Sequence, residues 1–149
     1  MAVWQYSFWT IPKDSLEQKY ENIPKEITED DFNDLIWFDK FNKDNLIKKI
    51  NFLPSNTYWN DKTLFWGTYE SDSVAITIEN ALIREIYIRI DLRNNYISML
   101  KKIIELLSTN GLYILDEELN VIAPELDEII NKIELYIIHM KNYFKSILK

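Results

Sequence analysis

Residues 82–92 alternate so strictly that a strand is the one regular structure that suits them. Ile86, Ile88, Ile90 and Leu92 share one side of a period-two pattern, and Glu85, Tyr87, Arg89, Asp91 and Arg93 share the other. Successive side chains of a strand point to opposite faces, so this segment has an apolar face and a polar one. Two more strand-like runs precede it, 63–70 and 73–79, with turn residues Ser71-Asp72 and Asn80-Ala81 in between. Short turns between neighbouring strands predict a three-stranded antiparallel meander. Its apolar face has to be covered by another layer.

The rest of the chain offers that cover. Asn94 or Asn95 caps a predicted helix to about 109, with Ile97, Leu100, Ile103, Ile104 and Leu107 on one stripe and Asn110-Gly111 as its stop. Pro124 opens a helix of about 24 residues, about 36 Å long. Its stripe is Leu126, Ile130, Ile133, Ile137, Met140, Phe144 and Ile147, widened by Ile129, Tyr136 and Tyr143. Acids near its start (Glu125, Asp127, Glu128) and lysines near its end (Lys141, Lys145, Lys149) suit the helix dipole. A stripe this wide predicts packing along the whole helix; Leu135 and Ile138 fall off it, so homodimerisation through this helix is the alternative. Residues 2–9 read as a further strand, with Trp4, Tyr6 and Phe8 on one face and Val3, Gln5, Ser7 and Trp9 on the other, and 111–116 as a short one. The expectation for residues 1–149 is a single α+β domain: an antiparallel sheet with a three-stranded meander, helices on one face and a long C-terminal helix.

Composition removes several chemistries. The chain has no Cys, one His and two Gly. It therefore has no disulfide or thiolate metal site and no glycine-rich phosphate loop, and neither a metal nor a cofactor is expected. His139, with Lys132, Asn142 and Ser146 around it, falls on the polar side of its helix, and no triad can be assembled, so the expectation is not an enzyme. No apolar run reaches the roughly 18 residues of a membrane span and no secretory signal is visible, which predicts a cytoplasmic protein that engages no membrane. A formal charge of −7 argues against nucleic acid as a partner.

That charge is unevenly placed. Residues 26–39 hold six acids and no base, and residues 1–44 carry −5 of the total. One reading is a solvated helix face, with Thr28 as N-cap and Glu29, Asp30 and Asp31 in the first turn. The other is a docking surface for a basic protein: Glu29, Asp30, Asp31 and Asp34 steer, while Trp37 and Phe38 anchor. Helical spacing carried through this segment buries Phe32, Leu35 and Ile36 and turns Trp37 to another side.

Arg84, Arg89 and Arg93 all lie within ten residues, while the other fourteen bases are lysines. Period-two spacing predicts Asp91 held between Arg89 and Arg93, with Tyr87 beside them, either as an ion-pair ladder or as a cleft for a carboxylate or phosphate. The five Trp read chiefly as core. Trp66-Gly67 marks a bulge or a close approach of another backbone.

The string Trp4-x-Tyr6-Ser7-Phe8 with Pro12, then Trp59, Trp66-Gly67 and Arg89-Ile90-Asp91-Leu92-Arg93, resembles a loosely defined group of short uncharacterised bacterial proteins over about residues 4–110. In size, acidity and single-domain build the chain is also similar to immunity proteins of bacterial toxin–immunity pairs, a likeness of character rather than of motif. This implies an acidic protein-binding domain that neutralises a basic toxin by direct contact. The alternative is a small-ligand-binding domain or enzyme built on the Tyr87, Arg89, Asp91 and Arg93 face.

Overall fold

The computed structural model describes residues 4–148. Val3 of the predicted first strand and Lys149 of the last helical turn lie outside the described residues. The chain runs β1 (Gln5–Pro12), α1 (Lys13–Tyr20), α2 (Glu29–Asp34), α3 (Lys43–Lys49), β2 (Ser55–Asn56), β3 (Thr63–Gly67), β4 (Ser73–Glu79), β5 (Leu82–Asp91), α4 (Ile97–Thr109), β6 (Leu112–Leu115), β7 (Val121–Ile122) and α5 (Leu126–Leu148). The fold is α+β, with one antiparallel seven-stranded sheet in the order β2-β3-β4-β5-β1-β6-β7.

The meander forms as expected, and β1 adds to its free side. Tyr6 pairs with Ile90 and Phe8 with Ile88, while across β4 Val74 meets Ile88 and Ile76 meets Ile86. These side chains share one face and are all buried. Each buried Ile or Phe contributes about 1.5–3 kcal/mol of transfer free energy, so this face dominates the stability of the sheet. A register shift at Thr77/Ile78 pairs Ile78 with Ile83 and keeps Ile83 in the same core.

On this face α5 brings Tyr136 edge-on to Tyr6 at 5.7 Å, and α4 packs beside α5 and β6. Along α4, Leu100, Ile103 and Leu107 are fully enclosed, and Ile129 and Ile133 of α5 join them. Asn45 of α3 donates to Asn110 at the end of α4.

The expectation that α5 packs along its whole length is corrected. Residues 141–147 are all exposed, Tyr143, Phe144 and Ile147 among them. The cause is length. A 23-residue helix spans about 35 Å, and the 13 residues of α4 beside it span about 20 Å. Leu135 and Ile138 are exposed as well.

The second face of the sheet carries Ser7 and Trp9 of β1, Tyr87 and Arg89 of β5, Ser73 and Ala75 of β4, and Phe65 of β3. Phe32 of α2 lies 5.1 Å from Trp9, which in turn meets Tyr87 at 5.3 Å. That end of the face is covered by α2.

Gly67, at the end of β3, has φ +90, and an ideal Cβ there would lie 2.0 Å from the Asp72 carbonyl oxygen. The close approach expected at Trp66-Gly67 is thus the backbone of the β3–β4 turn.

Candidate functional site

The acidic segment begins as its sequence suggests. Thr28 Oγ1 accepts from the Asp31 amide at 3.1 Å, and Glu29 and Asp30 project from the first turn into solvent. Asp31 is spent locally: it accepts the Tyr20 hydroxyl at 2.6 Å. Burial, then that hydrogen bond, push the Tyr20 phenol above its ordinary value. Glu29, Asp30, Asp34 and Asp39 enter no ion pair among the described residues.

Beyond Asp34 the expected arrangement is overturned. The helix stops there, because Leu35 adopts an extended backbone (φ −89, ψ 149). Helical spacing therefore does not carry through 35–38, and the faces invert. Trp37 and Phe38 are 5% and 3% exposed, whereas Ile36 is 69% exposed. Trp37 stacks on Tyr20 at 6.4 Å and donates Nε1 to the Phe32 carbonyl, and Phe38 packs on Phe41 at 5.4 Å. Neither Trp37 nor Phe38 is available as a docking anchor. Ile36 is instead the exposed apolar side chain of this segment, in a groove of about 310 Å³ shared with Asp34, Glu79, Leu82 and Arg84.

The Arg89–Asp91–Arg93 ladder does not form either. Strand β5 ends at Asp91, which frees Arg93 from strand geometry and lets it fold back on its neighbour. Arg93 Nε and Nη2 bind the two Asp91 oxygens at 3.1 and 2.9 Å, and Nη2 also reaches the Glu70 carbonyl at 2.8 Å. These hydrogen bonds hold the Asp91 carboxyl below its ordinary value. Asp72 Oδ1 accepts the Asp91 amide at 2.7 Å, and burial raises the Asp72 pKa. Arg84 donates to the Asn33 carbonyl at 2.9 Å and lies 4.0 Å from Glu79. Arg89 is left over. Its guanidinium sits 5.4 Å from the Tyr87 ring centroid and has no hydrogen bond or ion pair among the described residues. Tyr87 in turn donates its hydroxyl to Glu117 at 3.0 Å.

Two features were missed from the sequence. Tyr58, Phe65 and Tyr69 form a ring cluster with centroids 4.9–5.5 Å apart, and Trp59 joins Tyr58 at 5.6 Å while remaining 77% exposed. Gln5 holds this end by donating to the Tyr69 and Ser71 carbonyls at 3.1 and 3.0 Å. The signal was the aromatic density between 58 and 69, which a general assignment of Trp to the core obscured. The second is a cleft of about 610 Å³ between α3 and α4, lined by Lys48, Lys49 and Lys102 with Phe52 and Leu106. Lysines contributed by separate helices in a lysine-rich chain give no sequence signal.

Tyr6 is pushed up to about 12 by burial, reinforced by Asp116, Glu117 and Glu118. His139 is exposed beside that acidic loop. Among the described residues no group of three or more His, Cys, Asp or Glu is placed to hold a metal, and no helix is long and apolar enough to cross a membrane. Compared with known proteins, the chain matches no family model, no curated protein and no solved structure.

Proposed function

We propose that this chain is an acidic protein-binding domain of the immunity type, which neutralises a basic protein partner by covering its surface. The observation that carries the reading is Ile36: a large apolar side chain, 69% exposed, with Asp34 and Glu79 in the same groove and Glu29 and Asp30 on the same short helix. An exposed apolar contact beside carboxylates, of which Glu79 faces Arg84 and Asp34, Glu29 and Asp30 enter no ion pair among the described residues, suits a cationic protein. The charges raise the rate of encounter and the apolar group limits dissociation. Asp31 accepts the Tyr20 hydroxyl, so that carboxylate oxygen is not free for direct contact with a partner.

The test uses the protein encoded by the adjoining gene, purified and immobilised, with binding kinetics measured at two salt concentrations. The expected result is binding that weakens with salt. The triple variant Glu29→Gln, Asp30→Asn, Asp34→Asn should slow association and flatten the salt dependence, and Ile36→Ala should mainly speed dissociation. Unchanged kinetics in both variants would remove α2 from the interface, and no binding by the wild-type chain would remove the immunity reading itself.

A further inference from the structure

The geometry points to a small-molecule site on the second face of the sheet, built around Arg89, that takes an organic monocarboxylate with a flat or cyclic apolar body. It is independent of the α2 surface.

The first observation is the unused guanidinium. Two of the three arginines are committed to local oxygens, Arg84 to Asn33 and Glu79, and Arg93 to Asp91 and Glu70. Arg89 is half-buried, steadied by the Tyr87 ring, and directs its donors at nothing in the described chain. A pre-positioned planar fork without an anion matches a carboxylate in a bidentate pair.

The second observation is relief. The residues paired with Arg89 on either side are Ser7 and Ser73, and Ala75 pairs with Tyr87. Ser73 and Ala75 are small and buried and line the space beside Arg89, so they make a floor beneath taller neighbours. Phe65, Tyr58 and Tyr69 rise on one side, and Tyr87 on the other. The enclosed space next to Arg89 is about 60 Å³. A water's share of liquid is about 30 Å³, so two oxygens fit there and a whole ligand does not. Tyr58 and Phe65 also line an open surface cavity of about 550 Å³ that takes in Trp59 and Trp66 together with Asn56, Asn60 and Asp61. That volume suits the body of a small ligand, with the Tyr58, Trp59 and Phe65 rings as its apolar wall among polar neighbours.

The third observation sets the charge. Glu85 borders the same small cavity, about 13 Å along β5 from Arg89, and Glu117 rests on the Tyr87 hydroxyl. Neither lies within 4.0 Å of the guanidinium. Asp72 and Asp91 are nearby but engaged with each other and with Arg93. Among the described residues, Arg89 is the one cation bordering the small cavity. Glu85, Glu117 and the Asp61 that lines the larger cavity oppose added negative charge, so a ligand with one charge is favoured over one with two. A phosphate dianion is disfavoured.

The experiment is an NMR titration of the 15N-labelled protein with phenylacetate, indole-3-acetate and cyclohexanecarboxylate, with phenylacetamide and phenylphosphonate as neutral and dianionic counterparts. At least one carboxylate should shift the amides of β3, β4 and β5 around Phe65, Ala75 and Arg89, and bind at least tenfold tighter than both counterparts. Arg89→Gln should weaken it at least tenfold with the spectrum otherwise folded, whereas Arg93→Gln should leave it unchanged. Tyr58→Ala should weaken it and Tyr58→Phe should not. Three results overturn the site: no carboxylate binding, equal binding by Arg89→Gln, or tighter binding of the phosphonate.

Discussion

The two faces of β5 solve their burial problems differently. Towards the helices, Ile86, Ile88 and Ile90 are at most 1% exposed, and each stands beside other apolar residues on β1 or β4. An aliphatic group of similar volume costs less than about 1.5 kcal/mol there, because transfer from water is non-directional. On the other face each polar side chain needs its own partner. Tyr87 has Glu117, Asp91 has Arg93, and Arg89 has only a ring. One face follows from a pattern and the other from particular geometry, so substitutions on the two should fail in different ways.

The largest expected effect is Ile88→Asp. It removes a side chain with no exposed area and buries a carboxylate with no partner, a loss comparable with the roughly 5–15 kcal/mol that holds a domain together. Circular dichroism at neutral pH should show an unfolded chain, while Ile88→Ala should remain folded but lose about 2–5 kcal/mol in urea titration. Arg89→Gln, one residue along, should cost no more than about 0.5 kcal/mol. Similar losses at 88 and 89 would break the distinction between the faces.

Next in size is Trp37→Ala, at about 3–5 kcal/mol of stability. It leaves a cavity beside Tyr20 and removes the hydrogen bond to the Phe32 carbonyl. Ile36→Ala should cost about 0.5 kcal/mol or less, since little of that side chain is buried. Thermal and urea unfolding of the pair check the inversion at the end of α2: the larger loss belongs to the residue that helical spacing had placed outside.

Those neighbours show what was legible. The meander, its inward Ile residues, the Thr28 cap and the α4 stripe were readable because period and capping are local properties. The α+β class followed from them. Where α2 ends was not readable, since Leu35 leaves helical space with no Gly or Pro to announce it. Everything built on the period beyond that point, from Ile36 to Phe38, was therefore reversed. The Arg/Asp/Arg ladder failed for a similar reason: the strand stops at Asp91, and Arg93 is no longer bound by its spacing. Short β2 and β7 carry two residues each, too few for any period to register. The ring cluster at 58–69 depends on how β2 and β3 pair, which is a tertiary fact.

Gly67→Ala comes third, at about 3 kcal/mol. The new Cβ meets the Asp72 carbonyl, which is backbone and cannot swing aside, at a φ that L residues rarely adopt. Gly111 also has positive φ, but nothing lies within 4 Å of its ideal Cβ. Gly111→Ala should therefore show only the conformational penalty, about 1–2 kcal/mol. Urea midpoints that rank the two alike would mean that the β3–β4 turn yields, and with it the floor beneath Arg89.

The smallest effect separates two neighbouring carboxylates, Asp72 of the β3–β4 turn and Asp91 at the end of β5, by the sign of their pH dependence. Burial raises the Asp72 pKa above its ordinary 3.8, so the folded state binds that proton more tightly than the unfolded chain. Its contribution favours folding at low pH and is lost as pH rises from 3.8 through the raised value. Asp91 behaves oppositely. Arg93 holds its pKa below 3.8, so its contribution is complete above 3.8 and is lost as pH falls through the depressed value. Asp72→Asn keeps a carbonyl oxygen for the Asp91 amide and removes the buried charge. At neutral pH it should equal or exceed wild type, by about 0.5 kcal/mol, and the difference should shrink on acidification towards 3.8. Asp91→Asn should be less stable than wild type at neutral pH and converge with it only below 3.8. Urea titrations at several pH values between 2.5 and 7 should therefore show the two variants departing from wild type in opposite directions, with their changes on opposite sides of 3.8. Parallel profiles would mean that the hydrogen bond from the Asp91 amide outweighs burial at Asp72, so that both carboxylates are stabilised by folding.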